Sequence, residues 1–337
     1  MHKLTHKQRI QKVLAFEATD RLPYSHWQHN PNRDRHPRRL AELALTDQKH
    51  YDLDFIKLTP YGMYETIDFG VELDVFPGYN LAPVLHAPII KEASDWRKLP
   101  SVDGTRGEYL YALEGLRILF EMMGGERIPV QMTIFNTLTT AAKMCSPEMV
   151  AKHLREDPES VHIGLENILA TKIQFMKACC ALGVDGFFVA TQMSSYNYLT
   201  DAEHDEFVMP YDRLMMEAVE NDTWFNTLHI HGKNTMISKL AVDYPTHAIN
   251  WHDRDDGPTM DEVRKYSDKV FVGGLSWGTK WLDKTEAEVC FEVEDTSKLQ
   301  DGKGIILGPG CVVDPYTPVE RLELLRDRVI ATSADRV

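Results

Sequence analysis

Two histidines one residue apart, His229 and His231, and a cysteine behind a Gly-Pro-Gly turn, Cys311, have the types and spacing of a metal site. The run Thr227-Leu228-His229-Ile230-His231-Gly232 reads as a strand that stops at its glycine. Residues two apart in a strand share a face, so the two imidazoles project together while Ile230 faces the opposite layer. A second apolar strand, Gly304–Leu307, is ended by Gly308-Pro309-Gly310, with Cys311 on the loop beyond it. Two imidazoles and one thiolate supply three ligands and leave a fourth position open, the arrangement expected of a catalytic rather than a structural zinc ion.

Such a set needs strands to carry it. Short apolar runs at Leu22–Trp27, Phe55–Thr59, Ile128–Ile134, Val184–Ala190, Phe225–His231, Ala248–Trp251, Val270–Leu275 and Gly304–Leu307 alternate with amphipathic segments. Helix starts are marked by Thr5 with Gln8, Ser146-Pro147, Thr259 with Glu262, Thr285 with Glu288, and Thr317-Pro318. Eight strands alternating with helices most simply close into a (β/α)8 barrel, an α/β fold that takes residues 1–337 as one domain. The proline-rich stretch 71–99 breaks the rhythm and is expected to form a hairpin or lid after the second strand.

Barrel enzymes place their catalytic groups at the C-terminal ends of the strands. At those ends His26, His29, Lys57, Asn136, Gln192, Asn250 and Trp277 are candidates for binding a small-molecule substrate. His252, beside Asp253, is the candidate catalytic proton-transfer residue.

The composition excludes several classes. A net charge of −14 in 337 residues, without a basic stripe, argues against nucleic acid or an anionic membrane as partner. The basic run Asn32–Arg39 is broken by Asp34 and Pro37 and reads as a solvated loop face. No segment offers the ~20 uninterrupted apolar residues of a membrane span. The polar N-terminal segment lacks the apolar core of a secretory signal, so a cytoplasmic protein is expected. Five irregularly spaced cysteines suit a reducing compartment rather than a disulfide framework.

Taken together, Gly308-Pro309-Gly310-Cys311 with the downstream Thr317-Pro318, His229-Ile230-His231-Gly232, Asp20-Arg21-Leu22-Pro23 and Glu206–Tyr211 resemble the uroporphyrinogen decarboxylase superfamily. The resemblance runs from about residue 5 to the last helix. That superfamily contains a metal-free tetrapyrrole decarboxylase and a branch of zinc- and corrinoid-dependent methyltransferases. The decarboxylase has an arginine-rich loop where this chain reads Ser25-His26-Trp27-Gln28-His29-Asn30. It also has an aspartate after its second strand, where this chain reads Leu58-Thr59-Pro60-Tyr61-Gly62.

The resemblance is closer to the methyltransferase branch, whose zinc is held by His-x-Cys and a distant Cys. His229 and Cys311 match that pattern, and His231 stands in place of the first cysteine. The resemblance implies methyl transfer between a corrinoid (cobalamin) and a thiol or related acceptor, in a monomer or homodimer. The corrinoid would enter free or on a separate corrinoid protein, since this chain has no Asp-x-His-x-x-Gly motif. A neutral imidazole in place of a thiolate leaves the bound ion about one unit more positive, which favours polarising an oxygen or activating water. A zinc-dependent lyase or hydrolase, or a tetrapyrrole-binding protein, is the alternative.

Overall fold

A computed structural model of the chain describes residues 3–75, 82–125 and 127–333. Its strands are β1 (Ile56–Leu58), β2 (Leu73–Asp74), β3 (Val84–Leu85), β4 (Val130–Phe135), β5 (Gly186–Thr191), β6 (Thr227–Ile230), β7 (Ala248–Trp251), β8 (Val270–Leu275) and β9 (Ile305–Pro309). Seven of them form one curled parallel sheet in the order β1-β4-β5-β6-β7-β8-β9. Every residue of β4 to β9 is buried, as expected of parallel strands covered on both faces.

The two faces carry different cores. Trp27, Phe55, Phe188, Phe225, Val272 and Ile306 form a cluster on the concave side. The other face packs Leu228, Ile230, Ile249 and Trp251 into the larger cluster that the helices complete. The period of two along β6 therefore sends Ile230 to the helices and His229 inward, where its ring lies 5.7 Å from that of Phe188.

Seven strands pair in this sheet, against the eight expected. Leu22–Trp27 makes one parallel bridge, from Tyr24 to Leu307. Leu307 N donates to Pro23 O (2.8 Å), Ser25 N to Leu307 O (3.0 Å) and Asp54 N to Tyr24 O (2.8 Å). The segment thus lies between β9 and the residues leading into β1, and Pro23, having no N–H, cannot extend its ladder.

The Asp20–Pro23 motif acts at the opposite end of the strands from the histidines. Arg9 donates to Asp20 (2.7 Å) and to Asp54 (2.5 Å), and Arg21 donates to Asp54 at 2.6 Å. The wholly buried Asp54 also accepts from Tyr24 N at 2.9 Å. These bonds tie the N-terminal segment to the start of β1.

Within the stretch 71–99, β2 and β3 pair antiparallel, and residues 76–81 between them lie outside the described residues. Thr5, Ser146, Thr259 and Thr285 cap their helices as expected. Thr317 does not. The last helix, Val319–Ala331, has Pro318 at its N-cap, and the Thr317 hydroxyl donates to Asp314 O at 2.7 Å. Among the described residues no helix is long and apolar enough to cross a membrane.

Candidate metal centre

His229, in the last turn of the pleat of β6, projects into the concave side of the sheet. His231 follows in the same sense because its N–H donates to Thr191 O at 2.9 Å, extending the pairing of β6 with β5 past the strand's end. In the register between β6 and β7, His229 lies opposite Asn250. The residue two beyond each must then also lie side by side, and the His231 and His252 rings are 4.9 Å apart and nearly perpendicular. Beyond β9 the chain turns at Gly310, whose N–H donates to Leu275 O (3.0 Å), and brings Cys311 Sγ to 3.6 Å from His231 Nδ1.

One potential ligand atom from each of His229, His231, His252 and Cys311 falls within 4.8 Å of all the others. Zinc ligands at about 2.3 Å (sulfur) and about 2.05 Å (nitrogen) in a tetrahedron lie about 3.5 Å apart, close to the Cys311–His231 separation. His252 supports the same reading independently. Its Nδ1 is 2.8 Å from Asp256 Oδ2, while its buried Nε2 has no hydrogen-bond partner. A histidine that donates one ring N–H to a carboxylate and keeps the other nitrogen bare is arranged as a metal ligand. The expected open fourth position is therefore flanked by a fourth donor from the chain itself.

Protonation also fits the group. Burial pushes the His229 imidazole well below its ordinary range, and the neighbouring His231, His252 and Lys57 add to the shift. Burial together with His252 and Lys143 lowers His231 to about 4, and burial lowers His252 despite Asp256. Burial raises the Cys311 thiol to about 11, partly offset by Val312 N–H and Lys57. At pH 7 the three imidazoles are thus neutral and ready to bind, and only the thiol carries a proton to be displaced. Zinc binding near neutral pH is expected to release about one proton, and apparent affinity to rise about tenfold per pH unit between pH 7 and 9. Calorimetry in buffers of different ionisation heat measures this, and a release of two or more protons would contradict it.

Gly310 is where a side chain cannot be accommodated. A Cβ there would sit 2.9 Å from His252 Cα and 3.0 Å from Trp251 O, both backbone atoms. Gly310→Ala must push the Cys311 turn away from β7, and should weaken metal binding at least tenfold while the remote fold stays intact. A chelator competition titration reads the first and a thermal melt the second; unchanged affinity would contradict the close approach.

The other expected site residues divide. Lys57 lies at the site: its Nζ donates to Thr59 Oγ1 (3.0 Å) and sits 4.7 Å from the Phe188 ring centroid, and burial lowers its pKa to about 7. Trp277, half-buried, lies against His252 with ring centroids 4.5 Å apart. Asn250 is wholly buried, with Oδ1 2.6 Å from His229 Nδ1, so it supports a candidate ligand and is closed to substrate.

Asn136 is wholly buried as the N-cap of the helix Thr137–Ala142 and donates to Asp212 at 2.9 Å, directly after the Glu206–Tyr211 motif. Its side chain is committed to that cap. His26 packs edge-on against Tyr51, outside the cluster, because the bridge segment turns it toward the helix Pro37–Tyr51. His29 faces Asp34 at 3.8 Å, and Gln192 meets Thr139 through its main-chain N–H at 2.9 Å.

Three groups escaped the sequence reading: His252 as a ligand, Asp256 as the group that orients it, and Lys143, over the Phe135 ring at 4.1 Å. The position of His252 two residues past Asn250 was the available signal.

Comparison with known proteins gives the family and the fold. Residues 5–331 match the family described as uroporphyrinogen decarboxylase (URO-D). The methylcobamide:CoM methyltransferase MtbA of Methanosarcina acetivorans is 20% identical, covering 96% of this chain and 97% of that protein. A uroporphyrinogen decarboxylase of Corynebacterium diphtheriae is 23% identical over 83% of this chain and 81% of its own. Among solved structures, a methyltransferase from Methanosarcina mazei has the same fold, with a TM-score of 0.82, 19% identity and 99% coverage of both chains.

Proposed function

The chain belongs to the uroporphyrinogen decarboxylase family, and on that footing we propose that it is a zinc-dependent enzyme moving a methyl group between a corrinoid and a thiol or related acceptor. One observation carries this reading: three imidazoles and a thiol converge within 4.8 Å at the C-terminal ends of parallel strands. Its setting is taken as a single-domain, cytoplasmic (β/α)8 barrel that closes through the Tyr24 segment. Similarity over nearly the full length to a methylcobamide:CoM methyltransferase supports the reaction class.

His229, His231, His252 and Cys311 would hold the ion. Bound there, zinc would supply Lewis acidity, stabilising a deprotonated thiol or polarising an oxygen. With four candidate donors from the chain, an acceptor would have to share the site with them or take the place of one. His252 suits the exchanged position, since it stands on the loop after β7 and is held by Asp256 rather than by the sheet. This replaces the free proton-transfer role first expected of it. Lys57, whose amine takes up a proton near neutral pH, would pair with an anionic part of a substrate beside the cluster, and Trp277 packs against His231 and His252.

The test is optical. Zinc-loaded protein is incubated with methylcobalamin and a panel of thiols while cobalt demethylation is followed by absorbance. The proposal expects a thiol-dependent spectral change that Cys311→Ala abolishes. A zinc-loaded protein that leaves methylcobalamin unchanged with every thiol would return the choice to a zinc-dependent lyase or hydrolase.

A further inference from the structure

We propose that Asn250 is a positioning residue that fixes which nitrogen of His229 faces the metal site and ties that imidazole to the turn carrying Cys311. The inference rests on the metal reading above for its purpose, and on hydrogen-bond geometry for its content.

Asn250 is wholly buried in the middle of β7. Its Nδ2 donates to two main-chain carbonyls, Val272 O of β8 at 2.6 Å and Pro309 O of β9 at 3.0 Å. An amide nitrogen only donates and a carbonyl only accepts, so the amide cannot be turned over without setting Oδ1 against both oxygens. Its Oδ1 therefore faces His229 Nδ1, 2.6 Å away, and Oδ1 only accepts. The shared hydrogen belongs to His229 Nδ1, which leaves Nε2 with its lone pair.

This is a stronger constraint than one hydrogen bond. The imidazole of His229 has two tautomers and two ring orientations, and the two carbonyls exclude the wrong ones through a side chain that touches neither substrate nor ion. The Pro309 carbonyl lies two residues before Cys311, so the same amide sets the height of the Gly-Pro-Gly-Cys turn relative to β7. Asn250 thus governs the placement of two candidate ligands at once. Removing such a partner of a ligating histidine typically weakens metal affinity by about 10–100-fold.

The experiment labels histidine with ¹⁵N and assigns His229 by its loss in His229→Gln. In the metal-free wild-type protein His229 should appear as the Nδ1–H tautomer, the minor form of a free imidazole. In Asn250→Ala that signature should disappear, and zinc affinity by chelator competition should fall about 10–100-fold. Finding His229 as the Nε2–H tautomer in the wild type overturns the proposal. So does a folded Asn250→Ala protein with unchanged tautomer and an affinity within about twofold of wild type. If Asn250→Ala does not fold, the wild-type tautomer decides alone. A wild-type protein with the Nδ1–H tautomer but no affinity for zinc would instead defeat the metal reading and leave the positioning role of Asn250 standing.

Discussion

The double variant His229→Ala, Cys311→Ala should purify without stoichiometric zinc and should fail to take it up at nanomolar concentration. Complete four-ligand zinc sites are worth about 10–16 kcal/mol of binding free energy near neutral pH, or roughly 3 kcal/mol for each ligand on average. Losing an imidazole and the one thiolate should therefore weaken binding on the order of 10⁴-fold, taking a tight site out of the useful range. The effect should exceed that of any change to the residues around the cluster, because the surviving pair, His231 and His252, offers only two neutral nitrogens.

Metal analysis after dialysis measures stoichiometry, and chelator competition measures affinity. A melt adds an independent reading: zinc at 100 times its dissociation constant should stabilise the wild-type protein by about 2.7 kcal/mol and leave the double variant unmoved. Stoichiometric zinc retained by the double variant would end the case for this cluster. Cys311→Ser alone should remove the thiolate-to-metal absorption of a cobalt-substituted sample while His252→Ala preserves it, which separates the two kinds of ligand.

What could be read in advance of the structure was whatever depends on local period. His229 and His231 share a face because strands alternate, and a glycine beyond an apolar strand lifts Cys311 off the sheet. That turn falls at Gly310 alone, because β9 runs on through Gly308 and Pro309, which pair with Gly274 and Leu275. The fourth member of the cluster depends instead on register between β6 and β7, a non-local quantity. Only when His229 is paired with Asn250 does His252 fall beside His231.

Whether a residue at a strand end is free to meet a substrate depends on something else. A strand end shows that a side chain is near the mouth but not whether it is free. Asn136 caps a helix and bonds Asp212, and Asn250 bonds to β6, β8 and β9, so both side chains are engaged within the protein. Asn136 followed by a helical stretch was a recognisable cap pattern; nothing local distinguished Asn250. The first expected strand shrank to a bridge because Pro23 interrupts its donors.

The second large effect should come from Asp54, far from the cluster. Asp54→Asn keeps the shape of the side chain and removes one buried charge, leaving Arg9 and Arg21 facing an amide. Both guanidiniums are themselves buried, so water cannot replace the lost carboxylate, and breaking a buried pair of this kind costs about 3–5 kcal/mol. Asp20 keeps some compensation for Arg9, and the half-exposed Asp52 does the same for Arg21, which favours the lower end.

The pH dependence gives the effect a sign. Burial alone would raise the Asp54 pKa, but Arg21, His6 and Arg9 override it and hold the carboxyl at about 2. A carboxyl whose folded pKa lies below its unfolded value near 3.8 contributes stability that is fully present above that unfolded value. That contribution, about 2 kcal/mol by linkage, is lost as pH falls from about 4 through about 2. Above pH 5 the gap between Asp54→Asn and wild type should therefore be constant, and below pH 4 it should narrow. Urea denaturation at pH 7 and at pH 3 tests both statements. A variant as stable as the wild type at pH 7, or a gap that widens on acidification, would mean that the three charges are not coupled as their geometry requires. Because the cluster also fastens Tyr24 between β9 and the entry to β1, the loss should appear as reduced cooperativity of the whole sheet rather than as local fraying at the N-terminus.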